Sequence, residues 1–540
     1  MESLAEALSH PAAYPRATGG VEVIETHISW IFLIGSFAYK LKKPLNLGFL
    51  DFSTPEKRHY YCTEELRLNR RLCPGIYLSV VPVLRSAESV LVDAEETIGA
   101  EWEIVDYVVK MVRFERTMEL DRMLSAKLLT EKHIDTLSTM IAGFHASLPP
   151  AESESGFGHP DNLIKPILHN FTSMESIATS EHEIGQLEFL RNWSINEHQR
   201  LYPLFLQRKE GGFIRQCHGD MHTGNMVWWK EQIFIFDCIE FNEHLSIIDV
   251  ISDLAFLFMD LVHGGEQELA WRFLNSYLAE SGDYQALPLL NFYVVYRAMV
   301  RAKVTAIRYA QTNGQSQAEK ILEEHRSYIR LALEFTRKQS ALLILAFGVS
   351  GSGKTVVARH IADKIPCIHL RSDIERKRIG GLKPLERSDG SLYTAEIGLQ
   401  TYRRLLDLAD LGIGEGIAVI VDATFLRESQ RELFIELAKT RKIPCRILRF
   451  SASEKVLVDR VQARYLRGND ASEADIAVLA SQLESMEPLS AEEEALAINL
   501  NTEETIDETA LAGLLQSLIT RSPVQPGEGE QVLFQERVKS

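Results

Sequence analysis

Residues 348–355 read GVSGSGKT. They follow an unbroken apolar run, ALLILAF at 341–347, and open a stretch with helical spacing. A strand buried on both faces, a glycine-rich turn and a helix start, in that order, leave the chain few paths to take. Glycines at 348, 351 and 353 let backbone N–H groups turn inward, and the helix N-terminus adds its positive end. The pattern predicts a phosphate cradle built from Gly348, Ser350, Gly351, Ser352 and Gly353. Lys354 would reach the β- and γ-phosphates of ATP, and Thr355 would ligate Mg2+. About 130 residues earlier the chain already carries HGDMHTGN (218–225) and IFIFD (233–237), which specify an unrelated way of gripping ATP. Two phosphotransferase sites in one chain are therefore expected.

A chain of 540 residues is too long for one core. The net charge of −17 argues against a general nucleic-acid or anionic-membrane binder, although a local basic pocket stays open. Cys62, Cys73, Cys217, Cys238, Cys367 and Cys445 are scattered, without a CxxC or a Cys/His cluster, as reduced thiols of a cytoplasmic protein would be. The N-terminus has no basic region followed by an apolar core, so no signal peptide is expected. No apolar run is long enough to span a bilayer, and LAFLFMDLV (254–262), interrupted by aspartate, reads as a buried helix.

Along the chain, HISWIFLIG and SFAYKLKK read as a hairpin turning at Gly35-Ser36. A helix follows at 55–73, with strands at 76–84, 88–93 and 102–112, and then mainly helix to 338. From Ala341 apolar runs at 341–347, 367–370, 417–421, 445–450 and 497–500 alternate with helical segments, as in a doubly wound parallel sheet. The division is 1–338, 339–521, and a Pro-, Gly- and Glu-rich tail at 522–540 expected to be disordered.

Phosphoryl transfer needs a carboxylate for the acceptor hydroxyl, magnesium ligands, and a cation on the phosphates. Asp220 in HGDxxxxN can take the acceptor's proton. Asn225 can reach magnesium, and Asp237, ending the next strand, can bridge it to the phosphates. Lys40 on SFAYK supplies the cation and Glu65 on the following helix holds it. Lys42, on the same strand face, is the alternative to Lys40, and Glu64 the alternative to Glu65. HGDMHTGN with IFIFD resembles the aminoglycoside phosphotransferase and choline kinase-like superfamily over about residues 20–335. The resemblance implies an α+β bilobal protein-kinase-like fold and these same roles. It adds Asp253, in SDLAF, as the aspartate that props up the catalytic loop. The glycine-rich loop usual over the phosphates is reduced here to a short turn at Gly35.

In the second half, two strands end in acids: IHLRSD at Asp373 and IAVIVDATF at Asp422. Asp373 with Arg376 offers a base beside a cation, and Asp422 could hold Mg2+. Arg460, Arg464 and Arg467, spaced four and three apart, read either as solvated surface or as a lid that closes on the phosphates. Residues 341–520 resemble the small P-loop kinases around polynucleotide 5′-kinase, zeta toxin, gluconate kinase and chloramphenicol phosphotransferase. That resemblance implies Asp373 as base, Arg460 and Arg464 as lid arginines, and an α/β doubly wound parallel-sheet fold. The whole chain resembles bacterial fusions of an aminoglycoside phosphotransferase-like domain with a P-loop domain. The expected function is a bifunctional kinase for small-molecule hydroxyl acceptors. The alternatives are one catalytic domain with a nucleotide-sensing partner, or a nucleic-acid or toxin-type kinase in the second half, for which Arg376, Lys377, Arg378 and Lys383 leave a basic patch.

Overall fold

β-branched and aromatic residues between 22 and 112 pair into a six-stranded antiparallel sheet. Its order is Glu22–Glu25, Ser29–Ile34, Phe37–Lys42, Glu103–Val112, Tyr77–Arg85, Val90–Val92. The computed structural model describes residues 3–519 except 16–17, 47, 49, 95–100, 175–176, 178–179, 313, 389–391, 393 and 469. The expected disordered tail lies outside the described residues. The hairpin Ser29–Ile34/Phe37–Lys42 turns on Gly35-Ser36 as the sequence predicts. Helix Pro55–Asn69 starts where Thr54 accepts a hydrogen bond from the Lys57 N–H, with Pro55 in the first turn. Cys62 from this helix packs with Leu33, Ala38 and Val109 of the sheet, while Leu8, Ala13 and Tyr14 join Phe32, Tyr39 and Val108 in a separate core.

Short strands Ile214–Gln216, Met226–Trp229 and Gln232–Ile235 frame the HGD stretch, and helix Val250–His263 is buried over nearly its whole length, as its apolar sequence requires. Among the described residues no helix is long and apolar enough to cross a membrane.

The five apolar runs of the second half become five parallel strands, in the order Cys367–Arg371, Ala418–Asp422, Leu343–Phe347, Cys445–Ser451, Ala497–Asn501. The strand feeding GVSGSGKT is central and buried at every position. Ile344, Ala346, Ile420 and Leu448 meet Ala358 and Ile361 of helix Lys354–Lys364 in one core. The architecture is thus a kinase-like region followed by a parallel-sheet P-loop domain.

By compactness the chain divides into Met1–Pro166 with Tyr202–Gly264, and Ile167–Leu201 with Gly265–Ser540. Helices after residue 265 therefore group with the parallel sheet, which the sequence pattern alone does not suggest. Helix Gln267–Ser281 shows why. Its Asn275 accepts from the His369 N–H at 2.8 Å and donates to the Cys367 carbonyl at 2.9 Å, pairing the open side of the edge strand. Arg272 adds an ion pair to Asp363 at 2.9 Å.

Candidate active sites

In the first unit, Asp220 stands on the loop after strand Ile214–Gln216. Gly219 has φ +87°, and a Cβ there would lie 2.6 Å from the Leu245 carbonyl, so only glycine fits. Asp253 accepts from the His218 N–H at 2.7 Å and the Gly219 N–H at 2.9 Å, which fixes the loop from the helix beneath. Asn225 Nδ2 donates to the Asp220 carbonyl at 2.9 Å and to its Oδ2 at 3.0 Å, leaving Oδ1 as the end of its amide suited to a cation. His222 Nε2 lies 3.4 Å from the same Asp220 oxygen. Asp260 anchors Thr223 through its N–H at 2.9 Å and its hydroxyl at 2.5 Å.

Asp237 lies two residues beyond strand Gln232–Ile235, not at its end. Its φ is +65°, a left-handed backbone that costs energy in a non-glycine residue and is held by its surroundings. The next N–H, of Cys238, donates to Asn69 Oδ1 at 3.0 Å, and Asn69 Nδ2 donates to the Glu65 carbonyl at 2.8 Å. One asparagine so ties the Asp237 segment to the helix that carries Glu65.

Of the two lysines, Lys40 Nζ is 2.8 Å from Glu65 Oε1 and 2.5 Å from Asp237 Oδ1. Lys42 Nζ is 2.6 Å from Glu65 Oε2 and is also bonded to Glu240. Glu64 faces outward and pairs with Arg67 at 2.7 Å. Burial raises the Glu65 carboxyl, but the two ammonium groups outweigh it and hold it at about 2. Lys40 therefore shares a pocket with the candidate metal carboxylate, and Lys42 is locked deeper. Asp237, its side chain 46% exposed, and Asn225 provide the hard oxygen donors that magnesium takes.

In the second unit, Gly351 has φ +82°, and a Cβ there would meet the Leu457 carbonyl at 2.8 Å, so the loop is pressed against helix Glu454–Arg467. Lys354 Nζ donates to the Val349 carbonyl at 2.9 Å. Burial lowers its proton affinity, and Asp422 and Asp373 act in the opposite sense. The Thr355 hydroxyl donates to Asp422 Oδ2 at 2.7 Å. Burial pushes the Asp422 carboxyl up, yet the His369 hydrogen bond and the Lys354 and Arg371 charges hold it at about 2. A threonine hydroxyl beside an ionised carboxylate fits magnesium.

Asp373 does not end its strand, which stops at Arg371; it is the second residue of helix Ser372–Ile379, and it pairs with Arg376 at 3.0 Å. Arg460 bonds Thr502 Oγ1 at 2.7 Å and the Gly351 carbonyl at 3.3 Å. Arg464 donates through Nη2 to the Ala474 carbonyl at 3.2 Å, while its buried Nε has no hydrogen-bond partner among the described residues. Arg467 is exposed and turns back to the Ala463 carbonyl, apart from the other two.

Sequence reasoning missed Glu240, His369 and Gln482, whose Oε1 accepts from the Ser350 N–H at 2.8 Å. His369 Nε2 lies 3.4 Å from Asp422 Oδ2, and a histidine inside the apolar run CIHL was a visible signal. Glu240 and Gln482 had none, because their partners are remote in the chain.

Residues 106–290 match the phosphotransferase enzyme family, and residues 343–489 match the AAA domain. An uncharacterized protein of Mycobacterium tuberculosis and one of Mycobacterium bovis are each 28% identical to the chain over 469 residues, 86% of this chain and 90% of the relative. Among solved structures, an ethanolamine kinase of Plasmodium vivax is 10% identical with a TM-score of 0.36, covering 58% of this chain and 81% of its own. A choline/ethanolamine kinase family protein of Mesorhizobium loti is 13% identical with a TM-score of 0.34, covering 62% and 97%. A gluconokinase of Sinorhizobium meliloti is 21% identical with a TM-score of 0.25, covering 37% and 99%.

Proposed function

From an ATP-dependent kinase that joins a phosphotransferase-family segment to a P-loop segment, we infer a bifunctional phosphotransferase in which each half moves the γ-phosphoryl group of ATP to a hydroxyl of a small molecule. The reading places the first site within 1–338 and the second within 339–521. The observation that carries it is that each half brings candidate residues into contact: Lys40 with Glu65 and Asp237, and Asn225 with Asp220, in one, and Thr355 with Asp422, and Asp373 with Arg376, in the other.

In the first site Asp220 orients the acceptor hydroxyl and takes its proton. Asn225 and Asp237 would hold the metal, and Lys40, steadied by Glu65, binds the non-transferred phosphates. In the second site the loop amides and Lys354 bind the phosphates, Thr355 and Asp422 hold the metal, and Asp373 receives the acceptor proton with Arg376 beside it. Arg464 carries a buried guanidinium nitrogen free to meet charge on the phosphoryl group. Bound magnesium supplies neutralisation of phosphate charge. The net charge of −17 speaks against nucleic acid as the acceptor.

The test is an ATP-consumption screen over metabolite pools with wild type, Asp220→Asn, Asp373→Asn and Lys354→Ala. Asp220→Asn should remove one set of acceptor-dependent activities and Asp373→Asn another, with Lys354→Ala sparing the first set. Loss of every activity in Lys354→Ala would mean one composite site. Acceptor-dependent turnover lost only in one aspartate variant would make the other half a nucleotide-sensing module.

A further inference from the structure

A glutamine that none of these roles uses bonds to the P-loop. Ser350, third residue of GVSGSGKT, donates its backbone N–H to Oε1 of Gln482 at 2.8 Å. Gln482 lies on helix Ile476–Ser485, where Asp475 accepts from the Val478 N–H at 2.8 Å to cap the first turn. Leu479 of that helix packs with Val349 of the loop and with Leu457 and Val461 of the arginine-bearing helix. The glutamine is thus delivered to the loop by an apolar cluster and does not hang on an exposed turn.

Amides of a P-loop are phosphate donors, but the Ser350 amide, expected in the cradle, is taken by Gln482 instead. A glutamine amide has one acceptor oxygen and one donor NH2 group. With the oxygen spent on Ser350, what remains at the loop is a pure donor, which complements an anion. Arg464 lies on helix Glu454–Arg467, whose Leu457 and Val461 pack with Val349 and Leu479, and it keeps a buried Nε without a hydrogen-bond partner among the described residues. Lys354, Arg464 and Gln482 are thus donors carried by the loop and by the two helices packed against it.

We propose that Gln482 contacts the terminal phosphoryl group of the bound nucleotide, with Oε1 anchored on the Ser350 N–H and Nε2 donating to phosphate, so that this site tells a nucleoside triphosphate from a diphosphate. The proposal rests on the reading of 343–489 as a nucleotide site.

The affinity of this site alone is read in the full chain by hydrogen–deuterium exchange of peptides covering 348–358. ADP and a non-hydrolysable ATP analogue are titrated in magnesium buffer. Gln482→Glu keeps an acceptor for Ser350 but sets a negative charge against phosphate. It should lower affinity for the triphosphate analogue about tenfold or more and leave ADP within about twofold. Gln482→Ala should weaken the triphosphate preference by a smaller factor. Equal change for both nucleotides in Gln482→Glu would reduce Gln482 to a structural prop and overturn the proposal. So would tighter binding of both in Gln482→Ala, the mark of a side chain that phosphate displaces. Lys354→Ala separates the two readings. If it leaves both affinities intact, the nucleotide site itself is misassigned. If it abolishes binding while Gln482→Glu does not discriminate, only the Gln482 proposal fails.

Discussion

Lys40 and Asp237 lie 197 residues apart in the chain and 2.5 Å apart at Nζ and Oδ1. Lys42, two positions on and on the same strand face, misses that partner and is spent between Glu65 and Glu240. The two lysines should therefore fail differently. Lys40→Ala is expected to cut turnover at the first site about a hundredfold with a smaller loss of stability than Lys42→Ala, because Lys42 still neutralises Glu65. Lys42→Ala leaves two buried carboxylates short of a cation and should cost about 3 kcal/mol or more of stability. Urea unfolding beside acceptor-dependent turnover checks both. A stable Lys42→Ala enzyme with normal unfolding would remove the structural role assigned to that lysine.

Arg464 and Arg460 are likewise distinguishable. Arg460 is occupied by Thr502 and the Gly351 carbonyl, whereas Arg464 keeps a buried Nε without a hydrogen-bond partner among the described residues. An interaction formed mainly with charge that develops during transfer appears in turnover rather than in ground-state affinity. Arg464→Ala is expected to slow the second site about a hundredfold while weakening ATP binding much less. Arg460→Ala should loosen the loop and weaken nucleotide binding itself. Single-turnover rates and direct ATP binding on the two variants decide the matter, and unchanged turnover in Arg464→Ala would remove the transfer role given to that arginine.

Asn275 stands in for a missing strand at the edge of the parallel sheet. Asn275→Ala leaves the His369 N–H and the Cys367 carbonyl unpaired in a buried setting, at a cost of about 2 kcal/mol. A fragment covering 339–519 should accordingly be less stable than one covering 265–519. Equal urea midpoints for the two fragments would show that the helix after residue 265 contributes nothing to the sheet.

His369 predicts a pH dependence of known sign. Burial pushes its proton affinity below the ordinary value of 6.5, so the folded state prefers the neutral ring. Above 6.5 both folded and unfolded chains are neutral there and the contribution to stability is fully present. As pH falls through 6.5 the unfolded chain takes up the proton first, and stability is lost until the lower folded value is passed. Hydrogen exchange of strand 367–371 should show this loss setting in as pH falls through 6.5 in wild type. The loss should shrink in His369→Gln, which keeps a donor for Asp422. An unchanged pH profile in the variant would assign the loss to other histidines.

The sequence by itself determined the two phosphate-handling motifs, the five parallel strands and the antiparallel hairpin that carries Lys40. These are local: glycine spacing, unbroken apolar runs and the two-residue turn at Gly35-Ser36 each act within a few residues. Only the tertiary structure decided which of Lys40 and Lys42 meets Asp237, and that Arg464 rather than Arg467 turns inward. It alone brought Gln482, 132 residues away, onto the Ser350 amide, and gave the helix after residue 265 to the parallel sheet. All four depend on contacts between distant segments, and the two choices between neighbouring residues show the physical reason. Residues two or three apart on one face are equivalent in any pattern of spacing, and what separates them is the partner that a distant segment sets opposite each one.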